Sequence, residues 1–157
     1  METNEVLVKL VNDLIGINND RVEGYEKAAV ELKNQDVALQ ALFRSMANDS
    51  KLYARELKAL IIDLNGQSSD TPTQKGRVYR AWMDVISNFG GNNRQAILDS
   101  CEYGEEEAQQ AYTAVLKTGA EMDINMKGLI ANQQLSLKTA HALIKNFQQA
   151  RQPVVAW

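Results

Sequence analysis

Apolar residues recur every three to four positions along most of this chain, and the recurrence breaks at only a few points. Read at 100° per residue, Leu7, Val11, Leu14, Tyr25, Ala28 and Leu32 fall in one stripe, which predicts an amphipathic helix over about 4–33. Asn34, Gln35 and Asp36 interrupt the pattern, with Asp36 placed to cap a second helix. Leu39, Phe43, Met46, Ala54, Leu57 and Ile61 carry that helix over about 37–64, and Gly66 stands where it should stop. The second half repeats the scheme. Ile97, Cys101, Ala108, Tyr112 and Val115 predict a helix over about 93–118, capped by Asn92 or Asn93 after Gly90 and Gly91. A stop near Gly119 leads to Met126, Ile130, Leu137, Ile144 and Phe147, a fourth helix over about 121–150.

The two prolines, Pro72 and Pro153, lie between or beyond these helices, where a missing N–H does least harm. Short turns make each consecutive pair an antiparallel hairpin, whereas the hairpins themselves are joined by a long stretch, 66–92. Within it Val78, Trp82, Val85, Ile86 and Phe89 keep helical spacing, so the crossover is expected to carry a short helix at about 74–89, begun by Asp70, Thr71 and Pro72. A long connection of this kind distinguishes the ferritin-like arrangement from a simple up-down bundle. The expectation is all-α: one ferritin-like four-helix-bundle domain over 1–150, followed by an apolar tail, 151–157. That tail either frays or docks Val154, Val155 and Trp157 on a neighbouring subunit.

Composition narrows the partners. The chain has 157 residues and a net charge of −3 with no extended block of either sign, which argues against a general nucleic-acid binder. The opening METNEVLVKLVNDLI is too polar for a secretory signal or a membrane span, so a cytoplasmic protein is expected. Cys101 is the only cysteine, which leaves no internal disulfide and reads as a small buried apolar residue.

Candidate chemistry lies in the polar residues that interrupt the apolar stripes. These are Asn18 and Arg21 on the first helix, Ser50 with Asp49 at the edge on the second, Glu105 with Glu102 further out on the third, and Gln133 with Gln134 at the edge on the fourth. Turns near 35 and 119 place Arg21 level with about residue 49 and Glu105 level with Gln133, so the polar residues meet at mid-height. Di-iron carboxylate bundles hold their metals at that height, using two glutamates and two Glu-x-x-His pairs. This chain has one histidine, His141, with Lys138 and Ile144 three residues to either side. A ferroxidase centre therefore lacks its ligands. The reading is a satisfied polar layer without a cofactor, Arg21 pairing with Glu105 or Asp49, Gln133 bridging, and His141 flanking; a metal, if one binds, would be held by Glu105, Glu102 and Asp49.

Three segments carry a resemblance. LVNDLIGINNDRVEGYEKAA, RVYRAW and ILDSCEYGEEEAQQAY resemble an uncharacterised bacterial family of ferritin-like four-helix-bundle proteins, and the similarity runs on through Gln133 and His141. It implies the ferritin-like fold and a bacterial source, with no established activity or catalytic residue. The matching positions Asp20, Tyr25, Arg80, Trp82, Glu102, Glu105 and Tyr112 mark a shared network or a site. The crossover departs from the family's glycine-rich form by reading GQSSDTPTQKGRV. Asp20 faces away from the first helix's apolar stripe and is solvated unless Arg80 or a second subunit covers it. The functional expectation is a non-enzymatic bundle acting through self-association, a dimer favoured, or through protein binding, with a stress-related role by analogy alone. The alternative is a metal-dependent oxidase or peroxide-handling protein using mid-bundle carboxylates.

Overall fold

The computed structural model describes residues 2–67, 93–118 and 122–150. Four helices account for nearly all of them: α1 (Glu2–Leu32), α2 (Val37–Asp63), α3 (Arg94–Thr118) and α4 (Ile124–Gln149). The short helix expected at 74–89, with Arg80 and Trp82, and the tail 151–157 lie outside the described residues.

Local side-chain chemistry sets the ends. Asp36 caps α2 by accepting from Leu39 N at 3.0 Å, Asn93 caps α3 by accepting from Ala96 N at 2.8 Å, and Asp123 caps α4 by accepting from Met126 N at 2.9 Å. The expected start of the fourth helix at 121 moves to Ile124 because Asp123 supplies that cap. At the end of α2 the left-handed residue is Asn65, φ 57°, not Gly66. Asn65 N donates to Ile62 O and Gly66 N to Ile61 O, which closes the helix in a Schellman motif. Gly66 is needed for space instead, since a Cβ there would lie 2.5 Å from Cγ2 of Val8 on α1.

The bundle's topology follows from its two ends. Arg94, the first residue of α3, donates to Asp36 at 3.0 Å and to Phe147 O at 3.3 Å, and Gln35 accepts from its backbone N. The start of α3 thus lies beside the α1–α2 turn and the end of α4. At the opposite end, Gln67 O accepts from Asn12 at 3.0 Å. α2 therefore finishes at one end of the bundle and α3 begins at the other, about 40 Å away for helices of this length. Each helix is antiparallel to its two packed neighbours: α1 packs closely on α2, α3 on both α1 and α4, while α2 and α4 meet only sparsely. Leu14, Phe43, Leu57, Ile97, Ile130 and Ile144 are fully buried between them.

Helix α1 is enclosed on more sides than its stripe predicts. Ile15, Ile17 and Asp20 are as buried as the stripe residues Leu14 and Tyr25. No helix among the described residues is long and apolar enough to cross a membrane.

The Asp36 carboxylate performs two tasks, capping α2 through Oδ1 and binding Arg94 through Oδ2. Asp36→Ala should therefore lower unfolding free energy by about 2 kcal/mol, against about 1 kcal/mol for Asp123→Ala, which removes a cap alone. Urea denaturation of the two variants checks the difference.

Candidate functional site

A continuous hydrogen-bonded chain crosses the centre of the bundle and uses all four helices. On α1, Arg21 donates Nε to Glu105 Oε1 at 2.6 Å and Nη2 to Glu105 Oε2 at 3.1 Å, a two-point grip on the α3 carboxylate. Its Nη1 donates to Ser50 Oγ of α2, and Ser50 donates to Asn18 Oδ1 at 3.0 Å. Asn18 Nδ2 donates to Leu14 O at 2.9 Å and to the Tyr112 hydroxyl at 2.8 Å. Tyr112 donates to Gln133 Oε1 of α4 at 2.7 Å, and Gln133 Nε2 donates to Tyr53 O and Glu56 Oε1 of α2 at 3.2 and 3.1 Å. The Arg21 guanidinium also lies over the Tyr25 ring at 5.3 Å, and that ring leans on Phe43 at 5.6 Å.

The electrostatics follow from complete burial, with Arg21 1% and Glu105 0% exposed. Burial opposes the charged guanidinium, but the Glu105 carboxylate outweighs it, and the Arg21 pKa ends above its ordinary value. Burial pushes the Tyr25 phenol well up, with Glu105 adding to the effect. It pushes the Tyr112 phenol up too, against the hydrogen bond from Asn18. Every atom of the Arg21–Glu105 pair has a partner, the condition under which a buried ion pair is tolerated.

The structure brings together Asn18, Arg21, Ser50, Glu105 and Gln133. Asp49 stays outside: it is exposed, because one residue along a helix turns the side chain 100° away from buried Ser50. The trio Glu105, Glu102 and Asp49 is thus not assembled, since Glu105 points inward to Arg21 and Asp49 points to solvent. Gln134 donates to Thr113 at the surface. Asp20, expected to be solvated unless something covers it, is buried, and Tyr25 and Cys101 are buried as well. Sequence reasoning missed Glu56, which ends the chain, and the role of Tyr112 as the link between α1 and α4.

The fit to a di-metal centre is poor on this donor set. A cation already occupies the middle, its carboxylate is engaged at both oxygens, and the α4 position is an amide. Two other features border the layer. Between α2 and α4 a cleft of about 500 Å³ is lined by Tyr53, Glu56, Leu129, Asn132, Gln133 and Ser136, so the hydrogen-bonded chain ends at its wall. On the opposite flank of α4, at its seam with α3, Glu102, Glu106 and His141 converge. Glu102 lies 3.9 Å from His141 Nε2 and 4.0 Å from Lys145 Nζ. Glu106 carried no signal in the sequence beyond its spacing of four from Glu102.

Antiparallel hairpins joined end to opposite end, with a polar layer at mid-height, define a ferritin-like four-helix bundle. The fold of a Mycobacterium smegmatis Dps1 mutant is similar, with a TM-score of 0.80 at 13% identity over 94% of this chain and 97% of that one. The profile of a domain of unknown function, DUF2383, matches residues 6–118, and the chain belongs to that family. No curated protein matches it.

Two predictions rest on the layer. Arg21→Met leaves Glu105 buried without a counter-charge and should cost about 3–5 kcal/mol, whereas Arg21→Met combined with Glu105→Leu should recover most of the loss. Denaturant titration of both variants measures the difference. Because burial holds Tyr25 and Tyr112 neutral to higher pH than in the unfolded chain, their contribution is intact below about pH 10 and is lost as pH rises beyond it. Stability should then fall by on the order of 1 kcal/mol per pH unit for each of these two phenols, with their own tyrosinate absorbance appearing only on unfolding.

Proposed function

We propose that the protein is a non-enzymatic ferritin-like bundle that acts by self-association, its basic unit a homodimer. The observation that carries the non-enzymatic reading is the occupied centre: the height at which related folds do metal chemistry is filled by the Arg21–Glu105 pair and its satisfied partners. A group that is fully engaged and held by four helices has neither a vacant ligand position nor access to a substrate.

Self-association is supported by the outward face of α4. Ile124, Gly128, Ala131, Leu135, Thr139 and Ala142 recur at helical spacing opposite the buried Met126, Ile130, Gln133 and Leu137, and all six are exposed. That stripe bears no charge, while the lysines of α4, Lys127, Lys138 and Lys145, stand to one side of it. Ile124 is 83% and Leu135 64% exposed. Gly128, inside a helix, costs about 1 kcal/mol relative to alanine, and a Cβ there would meet nothing within 4 Å. No contact within the described chain accounts for it, whereas close approach of a second backbone would. A two-fold axis sets a face against itself, so any charge on it would meet its own like; an uncharged stripe avoids that opposition and suits a second copy of the same chain.

Size-exclusion chromatography with multi-angle light scattering tests this. The expected mass is at least twice 17.5 kDa across the micromolar range, and Leu135→Glu should lower it to that of one chain without loss of helix. A wild-type protein that stays monomeric throughout would overturn the proposal.

A further inference from the structure

Beyond self-association, and independent of it, we propose that Glu102, Glu106 and His141 form a mononuclear binding site for a divalent first-row transition ion, of which Zn²⁺ is the probe. Glu102 and Glu106 are one turn apart on α3, and His141 reaches them from α4 across the seam. One carboxylate oxygen from each glutamate and one imidazole nitrogen lie within 4.8 Å of one another. Around an ion bonded at about 2.1 Å, ligands of a tetrahedron sit about 3.4 Å apart, so closure asks for a contraction that glutamate side chains supply by small rotations.

The histidine supplies a second, independent reason. Nε2 of His141 is buried and has no hydrogen-bond partner among the described residues, although its side chain as a whole is 15% exposed. A buried polar atom left unpaired costs about 1–3 kcal/mol, and coordination would engage its lone pair. Charge points the same way. Two carboxylates at i and i+4 repel, and a dication neutralises both. Lys145, the cation beside them, lies 4.0 Å from Glu102 and is half exposed on a flexible stem that can swing away. Glu102 and His141 are only partly covered and Glu106 is exposed, which leaves room for water to complete the coordination.

One imidazole with two carboxylates suits zinc, manganese or ferrous iron better than calcium, which takes oxygen alone, or copper(I), which prefers sulfur. The site is separate from the central layer, because Glu105 is turned toward Arg21 while Glu102 and Glu106 face α4. Its three ligands would clamp α3 to α4.

The test uses the full chain made without a polyhistidine tag, freed of metal by chelator dialysis and titrated with Zn²⁺ by calorimetry. One ion per chain is expected, with a rise in Tm. His141 is the chain's only histidine, so its ring resonances in NMR report ligation without ambiguity. They should shift on Zn²⁺ addition, and His141→Ala and Glu102→Gln should each weaken binding at least about tenfold while circular dichroism shows the helices intact. Absence of stoichiometric binding, ring signals unmoved by saturating Zn²⁺, or full affinity in both variants would overturn the site. The ring shift in the wild-type chain decides the matter even where a variant fails to fold.

Discussion

A guanidinium at the centre of the bundle is the constraint on which the remaining structure depends. Placing Arg21 there removes a charge from water, and only a complete set of partners makes that tolerable. Glu105 takes two of its N–H groups and Ser50 a third, and the hydrogen bonds pass through Asn18 and Tyr112 to Gln133 and Glu56. The geometry is exacting, because a shift of one helix by a single residue would turn a partner 100° away. Apolar side chains alone accept several registers with similar burial. This chain of polar contacts accepts one, and it ties α1 to α2, α1 to α3, and α4 to both α2 and α3. The last link matters because α2 and α4 otherwise meet sparsely, and Gln133 spans that gap.

The same constraint fills the height at which di-iron carboxylate bundles hold their metals. The fold is shared at 13% identity, which conveys architecture and no activity. Where a metal centre needs several carboxylates and imidazoles converging on a vacant point, here one carboxylate converges on a resident cation. The ion pair gives buried Glu105 an internal counter-charge at the height where those centres place a metal. Membership in a family of unknown function adds no reaction to this picture.

The fold class was legible because three- and four-residue spacing persists through four long windows, and because the hairpin turns carry capping residues such as Asp36. The polar layer was partly legible, since Asn18, Arg21, Ser50, Glu105 and Gln133 each interrupt an apolar stripe at a common height. What failed did so for identifiable reasons. Asp49 adjoins Ser50 in sequence, but a helix turns neighbours apart. Whether Asp20 is solvated or covered stayed open because it lies off the one stripe assigned to α1, whereas the helix is enclosed on further sides from Leu14 to Arg21. The stop at Gly66 was legible, but not its means, since Asn65 takes the positive φ and Gly66 makes room for Val8. The meeting of Glu106 with His141 was invisible, because it depends on how α3 and α4 are rotated against each other, which no spacing within either helix encodes.

The acidic run of α3 shows how that rotation divides one charge cluster into two. Glu102, Glu105, Glu106 and Glu107 are close in sequence, yet helical phase sends Glu105 to the core and turns Glu102 and Glu106 together toward α4. Glu105 is wholly buried and gains its counter-charge from α1. Glu102 and Glu106 keep contact with water, where a carboxylate pays little for its charge and needs no buried counter-charge. Burial thus decides which carboxylates are spent on structure and which stay available to a ligand. On that ground the carboxylates open to a metal ion lie at the α3–α4 seam and not at the centre, where partly solvated Glu102 and Glu106 meet the single imidazole.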